Sequence, residues 1–426
     1  MNKQAYDLVD FLKRAYTPFH AVKALTEILS ENHFLELREN EKWNIKKGGK
    51  YFVTRNSSSV IAFVIPEDDK KVSGYRAVAS HSDSPGFKLK PDPVIDVEGE
   101  YSVLGVENYG SAIYTTWMDR PLSVAGRVIV RGKDSLEEKL VNVDRDMLVI
   151  PNAPIHFNRE VNKGHNYNPA KDMRPVYGKA GSSEKFKEEI AESAGVLAED
   201  VLCSDLFLYQ RGAGCIWGAE NEFISSPKLD DLACAYGSLM GFIEAEDFLH
   251  PSFYCVFDNE ETGSGTRQGA ASLFFYDTLR RVNEILGIGY EEYQMDIADG
   301  FMISADNAHA LHPNYSEYAD KNNRPVVNGG VSLKFNAPQK YATDGISGAF
   351  FADLCKSAGV KFQSYTNRAD LPGGSTLGNI SSLNVPLATC DIGLPQFAMH
   401  SSYETCGRED YEDYIKIVKH FYEQGI

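Results

Sequence analysis

An α/β fold carrying an inserted, mostly β second domain is what this sequence predicts, and three observations predict it. After about Ile216 helical and strand-like segments alternate, the rhythm of helices covering a sheet. From about Lys90 to Ile150 strand-like pieces dominate and helical stretches are few. The 426 residues are also more than one simple core needs, at an ordinary globular composition of 43% hydrophobic and 24% charged.

The elements follow in order. Leu8, Val9, Phe11 and Leu12 give one helical face, and Val22, Leu25, Ile28 and Leu29 a second. The second helix opens at Pro18, behind the capping candidate Thr17. Tyr51 to Val53 and Val60 to Ile65, separated by Asn56 and three serines, read as a hairpin, and a strand from Tyr75 to Ser80 runs into His81. Leu122 to Arg131 and Leu140 to Ile150 read as strands of the inserted domain. A polar loop from Asn158 to Pro175 follows, then a capped helix from Ser183 to Ala194 stopped by Gly195. Next come a helix from Asp231 to Ala245, a strand from Ser252 to Asp258 and a long helix ending near Leu286. Strands near Phe301 and Val331, a helix from Gly345 to Ala358, and strands Lys361 to Thr366 and Pro386 to Ile392 complete the alternation. A last helix from about Glu409 carries Tyr411, Tyr414, Ile415, Val418 and Phe421 at helical spacing.

The net charge of -17 argues against nucleic acid or an anionic membrane as the main partner, since both call for basic patches. It does not argue for a basic substrate, because surplus Asp and Glu usually form a solvated surface. The first residues lack a signal peptide's basic and apolar segments, and no apolar run approaches the ~20 residues that span a bilayer. The seven cysteines are odd in number, scattered and without a C-x-x-C pair. A cytoplasmic location is expected, and a disulfide framework is not.

Five short motifs fall near the ends of predicted strands, where α/β proteins place their ligands. They are His81-Ser82-Asp83, Leu229-Asp230-Asp231, Asp258 to Gly263, Ser304 to Asn307 and Ala398 to Ser401. Together they offer the nitrogen and oxygen donors that suit zinc, cobalt or manganese. Singly, each has a plain structural reading: a strand-terminal Asp caps or turns, paired glutamates are solvated, and a lone His is a hydrogen-bonded semi-buried residue. The H-x-D at His81 says more, because Asp83 can reach the second ring nitrogen and fix the tautomer.

Set in order along the chain, these motifs resemble the aspartyl aminopeptidase family of two-metal exopeptidases, relatives of the yeast vacuolar aminopeptidase. The resemblance also takes in Thr17 to Val22, Ile150 to His156, Ser304 to Tyr315, Leu371 to Gly378 and Leu394 to Ser401. It implies a mixed-sheet zinc-exopeptidase catalytic domain sandwiched by helices, with an inserted mostly β dimerisation domain. The implied bounds are 1–88 and 216–426 for the catalytic domain and 89–215 for the insert. It implies two divalent ions per subunit, with Asp230 bridging them, His81 and Asp306 completing one site, and Glu261 and His400 the other. Glu260 would be the general base, Asp83 the partner of His81, and His309 an oxyanion stabiliser. His156 would reach a neighbouring subunit's site, and Lys334 would meet the substrate. A homo-oligomer is implied, a dodecamer built from dimers.

The chemistry is coherent on its own terms. Two ions about 3.5–4 Å apart lower the pKa of a shared water and polarise a carbonyl. Three carboxylate ligands help neutralise their charge, and a further buried carboxylate can move the proton. The expected activity is removal of the N-terminal residue of short peptides, with Asp or Glu preference one option and neutral or hydrophobic N-termini the other. A deacylase or carboxypeptidase with the same paired ions, and a non-catalytic shell or cargo protein, are the alternatives.

Overall fold

The computed structural model describes residues 3–67, 73–133 and 135–424. Two compact units make up the chain: residues 1–83, 214–399 and 404–426 form the first, and residues 84–213 with 400–403 the second.

Among the described residues of the first unit, one sheet has nine strands. Their order is Leu35–Leu37, Lys50–Arg55, Ser59–Val64, Ser252–Phe257, Arg76–His81, Phe301–Ala305, Ala388–Gly393, Val331–Phe335 and Phe362–Thr366. Pairing is mixed: Arg76–His81 lies parallel to both neighbours, whereas Ser252–Phe257 against Ser59–Val64 and Val331–Phe335 against Ala388–Gly393 are antiparallel. Both faces are buried, and strand periodicity divides the side chains between them. Tyr254 and Val256 enter one apolar cluster, while Phe253, Cys255 and Phe257 enter the other. Helices Leu229–Glu244 and Arg408–Glu423 cover the first face, and Phe274–Leu286 covers the second. The first two helices approach closely at Gly237 and Gly241, where an added Cβ would come within 2.8 Å of Tyr414 and 2.7 Å of Val418. A smaller sheet in this unit joins Cys215–Trp217, Phe223–Ser226, Glu404–Gly407, Pro395–Phe397 and Ala308–His309.

The second unit is built on an antiparallel sheet in the order Leu136–Asn142, Leu122–Arg131, Val201–Gln210, Gly86–Val97, Tyr101–Tyr109 and Val176–Lys179. Phe87, Leu104, Leu122, Val124 and Leu206 form its core with Phe186 and Ile190 of the helix Ser183–Ala194. Gly195 stops that helix in the left-handed conformation, φ 68°.

Four local expectations need correcting. The strand expected from Leu140 to Ile150 is instead Leu136–Asn142, with only isolated bridges at Leu148, Val149 and Ile150 beyond it. Asp144 and Asp146 both accept hydrogen bonds from Arg211, a pairing that draws this stretch out of strand geometry. Thr17 occupies the N-cap position without capping through its side chain, because its hydroxyl bonds the His20 ring at 2.9 Å instead. The long helix ending at Leu286 begins only at Phe274; before it, Asn259, Gly263 and Ser264 take left-handed backbone that interrupts any helix. The helix expected from Asp231 is entered at Leu229, but Asp230 and Asp231 hold non-helical backbone. Their carboxylates are thereby free of the helix's surface geometry. No helix of the described residues is long and apolar enough to cross a membrane.

Candidate metal centre

Three parallel neighbours, Ser252–Phe257, Arg76–His81 and Phe301–Ala305, end side by side, with Phe257 in register with His81. Each strand delivers a polar residue at or just past its C-terminal end, the usual ligand-binding edge of an α/β sheet. His81 is the last residue of its strand, Asp306 directly follows another, and the turn Glu260–Thr262 follows the third. The first turn of Leu229–Glu244 brings Asp230 and Asp231 to the same place.

Donor atoms of His81, Asp230, Asp231 and Asp306 lie within 4.8 Å of one another, and so do those of His81, Glu260 and Glu261. His81 Nε2 is 3.5 Å from Asp230 Oδ1, and its Nδ1 is 3.1 Å from the Asp83 carbonyl oxygen and 3.3 Å from Asp83 Oδ1. The ring is therefore held by its Nδ1 edge, with Nε2 turned to the carboxylates, the arrangement that orients a ligating imidazole. Asp83 has a second task. Its two carboxylate oxygens accept the backbone N–H groups of Glu260 and Glu261, at 3.1 and 3.2 Å, which fixes the turn that presents both glutamates.

The electrostatics of this cluster are lopsided. Burial pushes the Glu260 carboxyl up to about 8, with Asp306, Asp83 and Asp230 adding to it and His81 opposing. Burial, with Asp230 beside it, likewise raises Glu261 well above the carboxylate range. Asp306 rises to about 6 by burial, against the pull of Lys334, whose Nζ stands 3.9 Å from Asp306 Oδ1. Burial disfavours a charged His81, yet Asp231, Asp230 and Asp83 outweigh it and hold its pKa well above the usual value. At least five acids thus gather around one imidazole and one ammonium. Nitrogen and carboxylate donors so crowded, in so dry a place, fit divalent cations of the zinc type.

Several residues that carry this arrangement were not singled out by sequence. Asp231 follows Asp230 in the Leu229-Asp230-Asp231 motif, and its Oδ2 accepts the His81 backbone N–H at 3.1 Å. Asn307, next to Asp306, donates to the Leu229 carbonyl at 2.8 Å and to Gln396 Oε1 at 2.9 Å, tying the Asp306 turn to the helix that carries Asp230. Glu404 accepts the Asp230 backbone N–H at 2.9 Å. Lys334 is cross-strand neighbour to Asp391, whose carboxylate accepts from the Thr376 hydroxyl at 2.6 Å and the Ala342 N–H at 2.5 Å. An added Cβ on Gly378 would stand 2.8 Å from both Asp391 oxygens, so the Leu371 to Gly378 motif shapes the niche of this acid. Glu404 and Asp391 had no sequence signal, because only strand pairing brings them to the cluster.

The other expected residues are placed as follows. His309 is exposed on Ala308–His309 and lines a cavity of about 670 Å³. Lys334 is buried, its ammonium turned to Asp306. His156 is exposed in a turn of the second unit. His400 belongs to the short stretch grouped with that unit; its Nδ1 is 3.0 Å from the Ser111 carbonyl oxygen, and its own carbonyl accepts from Ile113 N–H.

Comparison with known proteins adds three findings. Residues 11–422 match the model of Peptidase M18, described as aminopeptidase I zinc metalloprotease. A Clostridium acetobutylicum protein named "Probable M18 family aminopeptidase 2" is 43% identical over 98% of each chain. Among solved structures, a chain of the Ape4 and Nbr1 complex superposes with TM-score 0.94 at 32% identity, covering 99% of this chain and 85% of that one. The S. cerevisiae mApe1 dodecamer gives TM-score 0.85 at 25% identity over 99% of this chain and 96% of that one.

Proposed function

The chain belongs to the M18 family of aminopeptidase I zinc metalloproteases, and from that premise we propose that it removes the N-terminal residue of short peptides with the help of two divalent ions. The observation that carries this reading is the convergence of His81, Asp230, Asp306, Glu260 and Glu261 at the ends of three adjacent strands. Asp230 would bridge the ions; His81 and Asp306 would complete one site, and Glu261 and His400 the other. When bound, the ions supply Lewis acidity that activates a water and polarises the scissile carbonyl.

The chain's own groups do the rest. Asp83 holds both the His81 ring and the Glu260–Glu261 backbone, so that one carboxylate sets donor and base together. Glu260, its carboxyl raised by burial, takes a proton from the attacking water and returns it to the leaving amine. The substrate's free ammonium is drawn to the acidic cluster, which favours an exopeptidase over a deacylase. His309 is the candidate for stabilising the developing oxyanion. Lys334 keeps Asp306 charged in a dry site and stands ready to face a substrate acid, which would give a preference for Asp or Glu. His156 would act across a subunit boundary, within a dodecamer built from dimers through the 89–215 insert, and the enzyme would work in the cytoplasm.

The test is a kinetic screen over amino-acid p-nitroanilides and over peptides with free or acetylated N-termini, after reconstitution with zinc, cobalt or manganese. Cleavage of free N-termini only, at full rate with two ions per chain, is the expected result. Cleavage of blocked peptides alone would overturn the reading in favour of the deacylase. Light scattering on the eluting species should show a large assembly; a stable, active monomer would remove the role of His156.

A further inference from the structure

The cavity beside His309 has the makings of a binding site for a part of the substrate that the metal cluster does not touch. It lies wholly within the first unit and encloses about 670 Å³, within the range of roughly 300–1,000 Å³ typical of small-molecule sites. Its wall starts where the cluster ends: His309 is three residues beyond Asp306, and Tyr365 is the cross-strand neighbour of Lys334. Aromatic rings form much of the lining. Tyr315 and Tyr318 remain 56% and 58% exposed, although His312 packs 4.8 Å from the Tyr315 ring and 6.0 Å from Phe397.

Three charged side chains line this cavity, and their accounts differ. Asp320 accepts the backbone N–H groups of Asn322 and Asn323, at 2.9 and 2.7 Å. Arg368 is held by both oxygens of Asp370, at 2.6 and 2.8 Å. Arg324 has no hydrogen bond or ion pair among the described residues, and it is exposed. In a chain of net charge -17, an uncompensated guanidinium facing an aromatic cavity is a recognition element for an anion, and a planar fork suits a carboxylate.

We propose that this cavity takes the portion of the peptide downstream of the scissile bond and that Arg324 pairs with its free C-terminal carboxylate. The inference rests on the aminopeptidase reading, and it adds direction to it. The peptide's ammonium end goes to the acids at the strand ends, and its carboxylate end goes to the one uncompensated cation of the adjoining cavity. Tyr315, Tyr318 and Phe397 flank the leaving peptide's side chains. The enzyme is thereby a selector of short peptides with free C-termini, since a long chain cannot place its terminus within the cavity.

The test uses the metal-loaded full chain and matched tripeptides, Asp-Ala-Phe and Leu-Ala-Phe, each as the free acid and as the C-terminal amide. The wild type should favour the acid over the amide by about tenfold or more in kcat/KM, the effect of one charge-assisted pair. In Arg324→Gln that ratio should fall towards one, chiefly through KM for the acid, and Arg324→Lys should restore part of it. Equal rates on acid and amide in the wild type would overturn the proposal, as would an unchanged ratio in Arg324→Gln with an unchanged melting temperature. Should neither the peptides nor the p-nitroanilides be cleaved, the aminopeptidase reading itself would fall, an outcome distinct from hydrolysis without carboxylate preference.

Discussion

Asp205, half-buried in the six-stranded sheet, and Asp306, buried at the end of a strand in the nine-stranded one, both face cations, yet their charges are settled in opposite ways. Asp205 receives Lys88 at 2.6 Å and Arg127 at 2.9 Å, and these overcome the effect of burial to hold its carboxyl below the ordinary value. Asp306 has Lys334 only at 3.9 Å, and burial, with Asp230 and Asp391 adding to it, pushes its carboxyl up. The first is a finished structural ion network. The second is short of positive charge, and such a shortage inside a protein marks a place built for something that the chain does not itself supply.

The comparison breaks most visibly through Glu260. If the acids at the strand ends serve chemistry rather than folding, Glu260→Gln should lower kcat/KM by about 10²–10⁴-fold while leaving zinc content and melting temperature close to wild type. Activity within a few-fold of wild type would show that the proton is carried elsewhere. Metal removal is the next lever. Zinc at a thousand times its Kd should stabilise the folded chain by about 4 kcal/mol, read as a fall in melting temperature on chelation. Glu261→Gln should abolish most of that zinc-dependent shift, and Asp205→Asn should leave it intact. Equal loss of the shift in both variants would erase the distinction between the two kinds of acid.

Acid pH reaches a further buried group of the first unit. His250 is fully buried just before the strand Ser252–Phe257; its Nδ1–H donates to the Ser73 and Gly74 carbonyls at 2.8 and 3.1 Å, and Nε2 is left unprotonated near Arg76. Burial, with Arg76 second, lowers its pKa to about 4. The unfolded chain binds a proton at His250 below about 6.5 while the folded chain does not, so stability is lost as pH falls from about 6.5 towards 4, by up to about 3 kcal/mol. Denaturant melts of wild type and His250→Asn across that window should converge as pH falls. Parallel curves would mean that the imidazole is already charged in the folded protein.

How far these features could be read from sequence depended on whether their causes were local. The helix Gly345–Ala358 is legible to the residue because Asp344 caps Ile346 and Ser347 and Gly359 closes the other end in left-handed backbone. The helix Tyr290–Ala298 is not legible, since its charged first turn and weak apolar face carry little periodic signal. Strands of three or four residues such as Pro395–Phe397 and Glu404–Gly407 exist only because neighbours pair with them. At the site the same rule holds. His81, Asp230, Glu261 and Asp306 stand in compact motifs, whereas Glu404 and Asp391 are recruited by pairings between distant segments, which no local pattern announces.

The smallest expected effect is also the one that tests the meaning of a finished network. Asp205→Asn removes the negative charge between Lys88 and Arg127 and turns one of the two acceptor oxygens into an amide donor. The group is partly exposed, at 29% of its side chain, so the loss should be about 1–2 kcal/mol rather than that of a fully buried pair. Because the folded pKa of Asp205 is depressed, its contribution is present above the unfolded value near 4 and vanishes as pH falls through the folded one. The destabilisation in the variant should therefore be full at pH 7 and shrink below about pH 4, with no change in the amount of metal bound. A pH-independent deficit would show that the aspartate contributes shape alone, and the contrast with Asp306 would then be one of packing rather than of charge.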